Sequence, residues 1–235
     1  MKKMVALALV TVQWLCFGSP VLDHKIESEH FQLFYSETDA SIAPSLFQKA
    51  EQAYAVCSKD FQYSFDKPID LFVYPSVEAH HLAINMEGSP DWLVACANGQ
   101  TIHIVSPLNP GSCHTKRSLK MLLQLEVAES FIFNQFGKES LPRWLVFGTA
   151  AKKGGYFIKT FKPRVPSLEE LETTDNIAFA RVSGFQWSYL FVSYIEQKYG
   201  WDKLLQVLAN YEKFEEIIGV SPKALYQQWL DSAAS

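Results

Sequence analysis

At 235 residues the chain has room for one sizeable domain or two small ones. A hydrophobic content of 48%, with 14% aromatic residues, excludes a disordered polypeptide. The net charge is −4, and no basic run or interleaving of Lys/Arg with aromatic residues is visible, so nucleic-acid binding has no support.

Met1-Lys2-Lys3 leads into an apolar run from Met4 to Phe17. That run is shorter than the ~20 residues of a comfortable membrane span and suits a secretory signal, with cleavage near Gly18-Ser19. Residues 1–18 are expected to be a signal peptide or, if uncleaved, an anchor attaching the protein to a membrane. Residues 19–235 are then one secreted or envelope-associated domain. Gln13-Trp14-Leu15 ahead of Cys16 does not fit a lipoprotein acceptor. Cys57, Cys96 and Cys113 follow; three is an odd number, so at most one internal disulfide can form, and their pairing stays open. Their spacing is not that of a zinc motif, and buried free cysteine is the simplest reading.

Next along the chain, His30–Tyr35 alternates loosely and is rich in aromatics, which predicts a strand. From about Ile42 to Phe61, Leu46, Ala50, Ala53, Tyr54 and Cys57 fall at helical spacing. Pro68–Tyr74 reads as a second strand, with a short helix through Val77–Ile84. Trp92–Cys96 and Thr101–Val105 flank Ala97-Asn98-Gly99-Gln100, a hairpin signal. Ser118–Phe136 is apolar on nearly every face, as in a helix buried inside a domain. Residues 142–152 suggest another helix, with Pro142 in its first turn and Gly154-Gly155 closing it. Residues 156–180 read as irregular apart from a short acidic helix near Leu168–Leu171. From Gly184 to about Leu230 the pattern is helical, broken at Gly200, Gly219 and Pro222. The expected class is α+β, with a strand-rich N-terminal half (antiparallel or mixed sheet) packed on a mainly helical C-terminal half.

The most informative segments are Leu125-Glu126-Val127-Ala128-Glu129 and Pro142-Arg143-Trp144-Leu145-Val146-Phe147-Gly148. Together with the aromatic opening strand, the Val105–Gly111 turn, Ser188-Tyr189, Tyr194, Tyr199-Gly200 and Trp229-Leu230, they resemble exported bacterial peptidase MA-like proteins of gluzincin type. The resemblance runs from about Glu29 to Asp231 and implies a zincin-like fold. In that family two histidines of an H-E-x-x-H helix and a glutamate in a downstream W-L-x-E-G segment hold zinc, and the helix glutamate polarises the attacking water. Carried over, the first histidine falls on Leu125, the second on Glu129 and the third ligand on Phe147. Only the general base is matched, by Glu126, as a vestige.

Leucine and phenylalanine have no lone pair to offer a cation, and a catalytic zinc site usually draws on three protein ligands. Zinc, expected in active relatives, is therefore expected to be absent here, with no other cofactor implied. Without a metal, water keeps a pKa near ~15.7, and Glu126 alone does not generate hydroxide at neutral pH. Other histidines offer little: His80 and His81 are adjacent and diverge on a helix, while His103 sits on a hairpin strand. Cys113-His114 lies in a loop that needs distant partners. Phe185, Trp187, Tyr189 and Tyr194 read as a core stripe. The leading expectation is a catalytically inactive pseudo-peptidase with a binding or structural role, its ligand an unidentified peptide or protein. The alternatives are a hydrolase using an unconventional metal site or a Glu126/Glu129 acid–base pair, and a purely structural envelope protein.

Overall fold

The computed structural model describes residues 22–137, 141–156 and 164–234; the expected leader or anchor at residues 1–18 lies outside them. The N-terminal half forms one five-stranded mixed sheet. Its strands are β1 (His24–Glu27), β2 (Phe31–Tyr35), β3 (Ile69–Tyr74), β4 (Ala95–Asn98) and β5 (Thr101–Val105). They lie in the order β1-β2-β3-β5-β4, antiparallel at both edges and parallel in the centre.

Alternation decides which side chains enter the core. Phe31, Leu33, Ile69, Leu71, Val73, Ile102 and Ile104 are fully buried on one face. That face packs against helices α1 (Ala43–Phe61) and α3 (Lys116–Phe136). Between them in sequence comes the short α2 (Val77–Ala83), capped by the Ser76 hydroxyl accepting the Ala79 N–H. The helix α3 begins at a Thr115/Ser118 capping box and buries residues around most of its circumference, including Leu119, Leu123, Val127, Ala128 and Phe131.

The C-terminal half is mainly helical: α4 (Arg143–Lys153), α5 (Leu168–Leu171), α6 (Asn176–Arg181), α7 (Gly184–Tyr199), α8 (Trp201–Ala209), α9 (Phe214–Ile218) and α10 (Pro222–Ala234). The expected α+β class is observed, with several local corrections. β1 was not expected; only four residues long, with Ile26 as its one strongly β-forming residue, it carries little pattern of its own. The hairpin is shifted: its first strand is Ala95–Asn98, and the turn is the two residues Gly99-Gln100, with Gly99 at φ +61°. Pro142 is the residue before α4, in extended backbone at ψ 146°, not in its first turn. Part of the excursion expected to be irregular is α6, started by the Asp175 carboxylate accepting the Ile177 and Ala178 N–H groups. No disulfide joins Cys57, Cys96 and Cys113. Among the described residues no helix is long and apolar enough to cross a membrane.

Candidate functional site

A cavity of about 800 Å³ opens between α3, α4 and the edge strand β4. Helix geometry explains which part of α3 faces it. Leu122, Glu126, Glu129 and Phe133 line the cavity, at the i, i+4, i+7, i+11 spacing that keeps side chains on one face. Leu125 sits about 100° round the helix from Glu126. It is fully buried and is not part of the cavity wall. Its backbone lies against the end of α4, where a Cβ on Gly154 would come within 2.6 Å of the Leu125 nitrogen. Of the residues singled out from the sequence, Glu126, Glu129 and Phe147 therefore share one cavity, and Leu125 belongs to the core.

Phe147 reaches the cavity from α4 and packs on Phe185 of α7, ring centroids 4.4 Å apart. Phe185 in turn meets Trp92 at 6.2 Å and Phe179 at 5.0 Å, so this end of the cavity is aromatic. The stripe expected on α7 divides: Phe185 faces the cavity, whereas Trp187 and Tyr194 pack towards Trp229.

Glu126 is 5% exposed. Its carboxyl accepts the Ala97 N–H, and its second oxygen, Oε2, is buried with no hydrogen-bond partner among the described residues. Burial, and next the neighbouring Glu129, push its pKa well above the ordinary value of 4.5, while the Ala97 bond pulls it back. Tyr156 follows α4 and also lines the cavity; burial, then the charge of Glu126, raise its pKa to about 12. The signal for Tyr156 was in the Gly154-Gly155 pair. Gly155 takes φ +66° and the Tyr156 N–H donates to the Ala151 carbonyl at 2.8 Å, a helix stop that turns the ring back towards α3.

Arg143 was not anticipated either. Its guanidinium donates to the Thr174 carbonyl at 3.0 Å and to Asn176 Oδ1, and it stacks 4.8 Å over Phe179. Burial lowers its pKa and the charges of Glu129 and Asp175 raise it, which sets the guanidinium beside Glu129. The arginine thus ties α4 to the start of α6 and offsets Glu129, while its Nε is buried without a partner among the described residues.

The β4 wall adds main-chain groups. Val105 N–H donates to the Val94 carbonyl, so in the alternating antiparallel ladder residues 94, 96 and 98 bond to β5 while Ala95 and Ala97 point outward. Ala97 uses its N–H on Glu126; Ala95, also in the cavity wall, has no partner for its N–H or carbonyl among the described residues.

The other histidines lie elsewhere or are occupied. His103 is on the outer sheet face, hydrogen-bonded to the Tyr74 hydroxyl at 2.8 Å and stacked on Phe72. His80 is buried with neither ring nitrogen partnered among the described residues, its pKa pushed down to about 3 by burial and then by His81 and His103. His81 Nε2 bonds the Leu93 carbonyl at 2.8 Å. His114 does line the cavity, with Nε2 on the Trp92 carbonyl at 2.9 Å. Among the described residues no three His, Cys, Asp or Glu side chains form a group that could hold a metal ion. The donor set at the expected positions, leucine in the core and phenylalanine in the wall, does not fit zinc. Compared with protein-family models and with curated proteins, the chain matches none.

Proposed function

We propose that this protein is an exported, non-catalytic relative of zincin-type zinc peptidases that binds an extended peptide or protein segment in the cavity beside β4. The observation that carries this reading is a retained glutamate, Glu126, in a cavity where Phe147 stands at an expected ligand position and supplies no donor. The unused N–H and carbonyl of Ala95 add the groups with which an extended chain extends a sheet, and the aromatic end offers room for an apolar side chain.

The test uses the edge strand. Fluorescence anisotropy with a library of labelled extended heptapeptides should detect binding without cleavage. Ala95→Pro removes the outward N–H while leaving the β5 ladder intact, and should weaken that binding about tenfold, the worth of one lost hydrogen bond plus steric blocking. Peptides that bind equally well to Ala95→Pro, or not at all to the wild type, would contradict the proposal.

A second reading has one observation in its favour. Glu126, with its raised pKa, and Glu129, beside Arg143, are a carboxyl pair of the kind that serves as acid and base. Turnover of a fluorogenic peptide or ester that is insensitive to chelator and lost in Glu126→Gln would favour this hydrolase over the binding protein.

A further inference from the structure

The polar groups around Glu126 define what chemistry its free oxygen can recognise. Oε2 is buried, belongs to a residue lining the cavity, and has no acceptor or donor among the described residues. The titratable and charged groups that share the cavity are Glu129 on the same helix, Arg143 on α4, Tyr156 after it, Cys96 on β4, His114 before α3 and Glu172 after α5. Arg143 is the one permanent cation of this set; its two terminal nitrogens are committed to Thr174 and Asn176, and its buried Nε has no partner among the described residues. Among the described residues of the cavity no other cation stands ready to stabilise a charged Glu126, and a buried carboxyl without a counter-ion keeps its proton.

We infer that Glu126 is held as the neutral acid and that its Oε2–H group donates a hydrogen bond to the carbonyl oxygen of the bound ligand. The cavity then selects an apolar ligand bearing a neutral carbonyl, such as an amide, ketone or ester, over an amine or a carboxylate. An ammonium ligand would have to strip the proton from Glu126 to gain an ion pair. A carboxylate would enter beside Glu129 and Glu172, with both terminal nitrogens of Arg143 already engaged. A neutral carbonyl meets neither cost, and it supplies the acceptor that Oε2–H lacks. A peptide group has this chemistry, so the inference rests on the binding-cleft reading above and sharpens it.

Three naphthalene probes separate the possibilities: 6-propionyl-2-(dimethylamino)naphthalene, its carbonyl-free counterpart 2-(dimethylamino)naphthalene, and 2-naphthylmethylammonium. Their affinities for the purified protein would be measured by fluorescence between pH 5.5 and 9. The ketone should bind about tenfold tighter than the carbonyl-free probe at the acid end, as expected for one hydrogen bond that satisfies a buried donor. That preference should fall as Glu126 loses its proton with rising pH; Tyr156, at about 12, stays protonated throughout. Glu126→Gln keeps an N–H donor and should retain the preference without its pH dependence, whereas Glu126→Leu should equalise the two neutral probes. Equal affinities in the wild type, tightest binding by the ammonium, or a preference surviving Glu126→Leu would overturn the inference. The wild-type comparison needs no variant to fold. Equal binding of all three probes sinks this inference and leaves the binding cleft standing; exclusion of all three sinks both. Selective ketone binding with no peptide bound at all upholds the inference and removes the peptide reading.

Discussion

Among the described residues two carboxyl groups are almost completely buried, Asp39 at 1% exposure and Glu126 at 5%, and they are treated in opposite ways. Asp39 closes the short turn Glu37–Asp39 before α1. Its Oδ1 accepts the Ser106 hydroxyl and its Oδ2 accepts the Ser36 hydroxyl at 3.1 Å. Ser106 also donates its own N–H to the Tyr74 carbonyl at 2.7 Å and accepts the Leu108 N–H at 3.1 Å. Asp39 is thus the centre of a saturated network that fastens the entry of α1 to the ends of β3 and β5. Glu126 has the Ala97 N–H on its carboxyl and nothing on Oε2. Buried polar atoms are normally satisfied, so an unsatisfied one on a residue that lines a cavity needs an explanation, and the binding reading proposed above supplies one. The contrast separates a carboxyl that holds the fold from one that, in the binding reading proposed above, meets a ligand.

Removing Asp39 should do the most damage. Asp39→Ala leaves the buried Ser106 hydroxyl without its acceptor and should cost about 2–3 kcal/mol in urea unfolding. A loss below about 0.5 kcal/mol would show that the network is not the anchor its connectivity implies.

Glu126→Gln should do the reverse. The folded-state pKa of Glu126 lies above its ordinary value of 4.5, so the folded protein holds this proton more tightly than the unfolded chain. The associated stability is complete below the unfolded value and is lost as pH rises through the folded one. At pH 8 the wild type therefore carries a penalty that glutamine does not, and the variant should be more stable there by on the order of 1 kcal/mol. Thermal melts from pH 4 to 9 would show the gap opening with pH. A gap that closes as pH rises would reverse the assignment of the neutral acid.

Exposed carboxylates complete the series at its small end. Glu169 is drawn down to about 2, first by its hydrogen bond from Lys223, across 2.8 Å of open surface. Glu169→Gln should leave the melting temperature unchanged within error, because water screens such pairs. A clear drop would mean that charge pairing at the surface, and not satisfaction of buried groups, sets the stability of this fold.

Much of the architecture was legible from periodicity. β2, β3, α1, α3 and α5 follow directly from alternation, helical spacing and capping residues in the sequence. β1 was not, because its short sequence becomes a strand by pairing with β2, a non-local effect. The hairpin strand was placed too early because Trp92-Leu93-Val94 has strand-like composition; those residues form the approach to β4 and part of the cavity wall. At the site, the spacing of Glu126 and Glu129 correctly put both on one helical face. Leu125 lies about 100° round the helix from Glu126, so the face that carries Glu126 and Glu129 into the cavity leaves Leu125 in the core, whereas the resemblance places it at a ligand position. Arg143 has no such local signal, because its partners Thr174 and Asn176 are some thirty residues away in sequence; for Tyr156 the Gly154-Gly155 helix stop is the local signal.

The proposal that the cavity works without a metal is tested most directly by equilibrating the purified protein with zinc, removing the free ion, and measuring bound metal beside peptidase activity. With Leu125 in the core and Phe147 in the wall, the account predicts no stoichiometric zinc and no chelator-sensitive cleavage. Near-equimolar zinc, together with proteolysis that a chelator abolishes and Glu126→Gln eliminates, would contradict it.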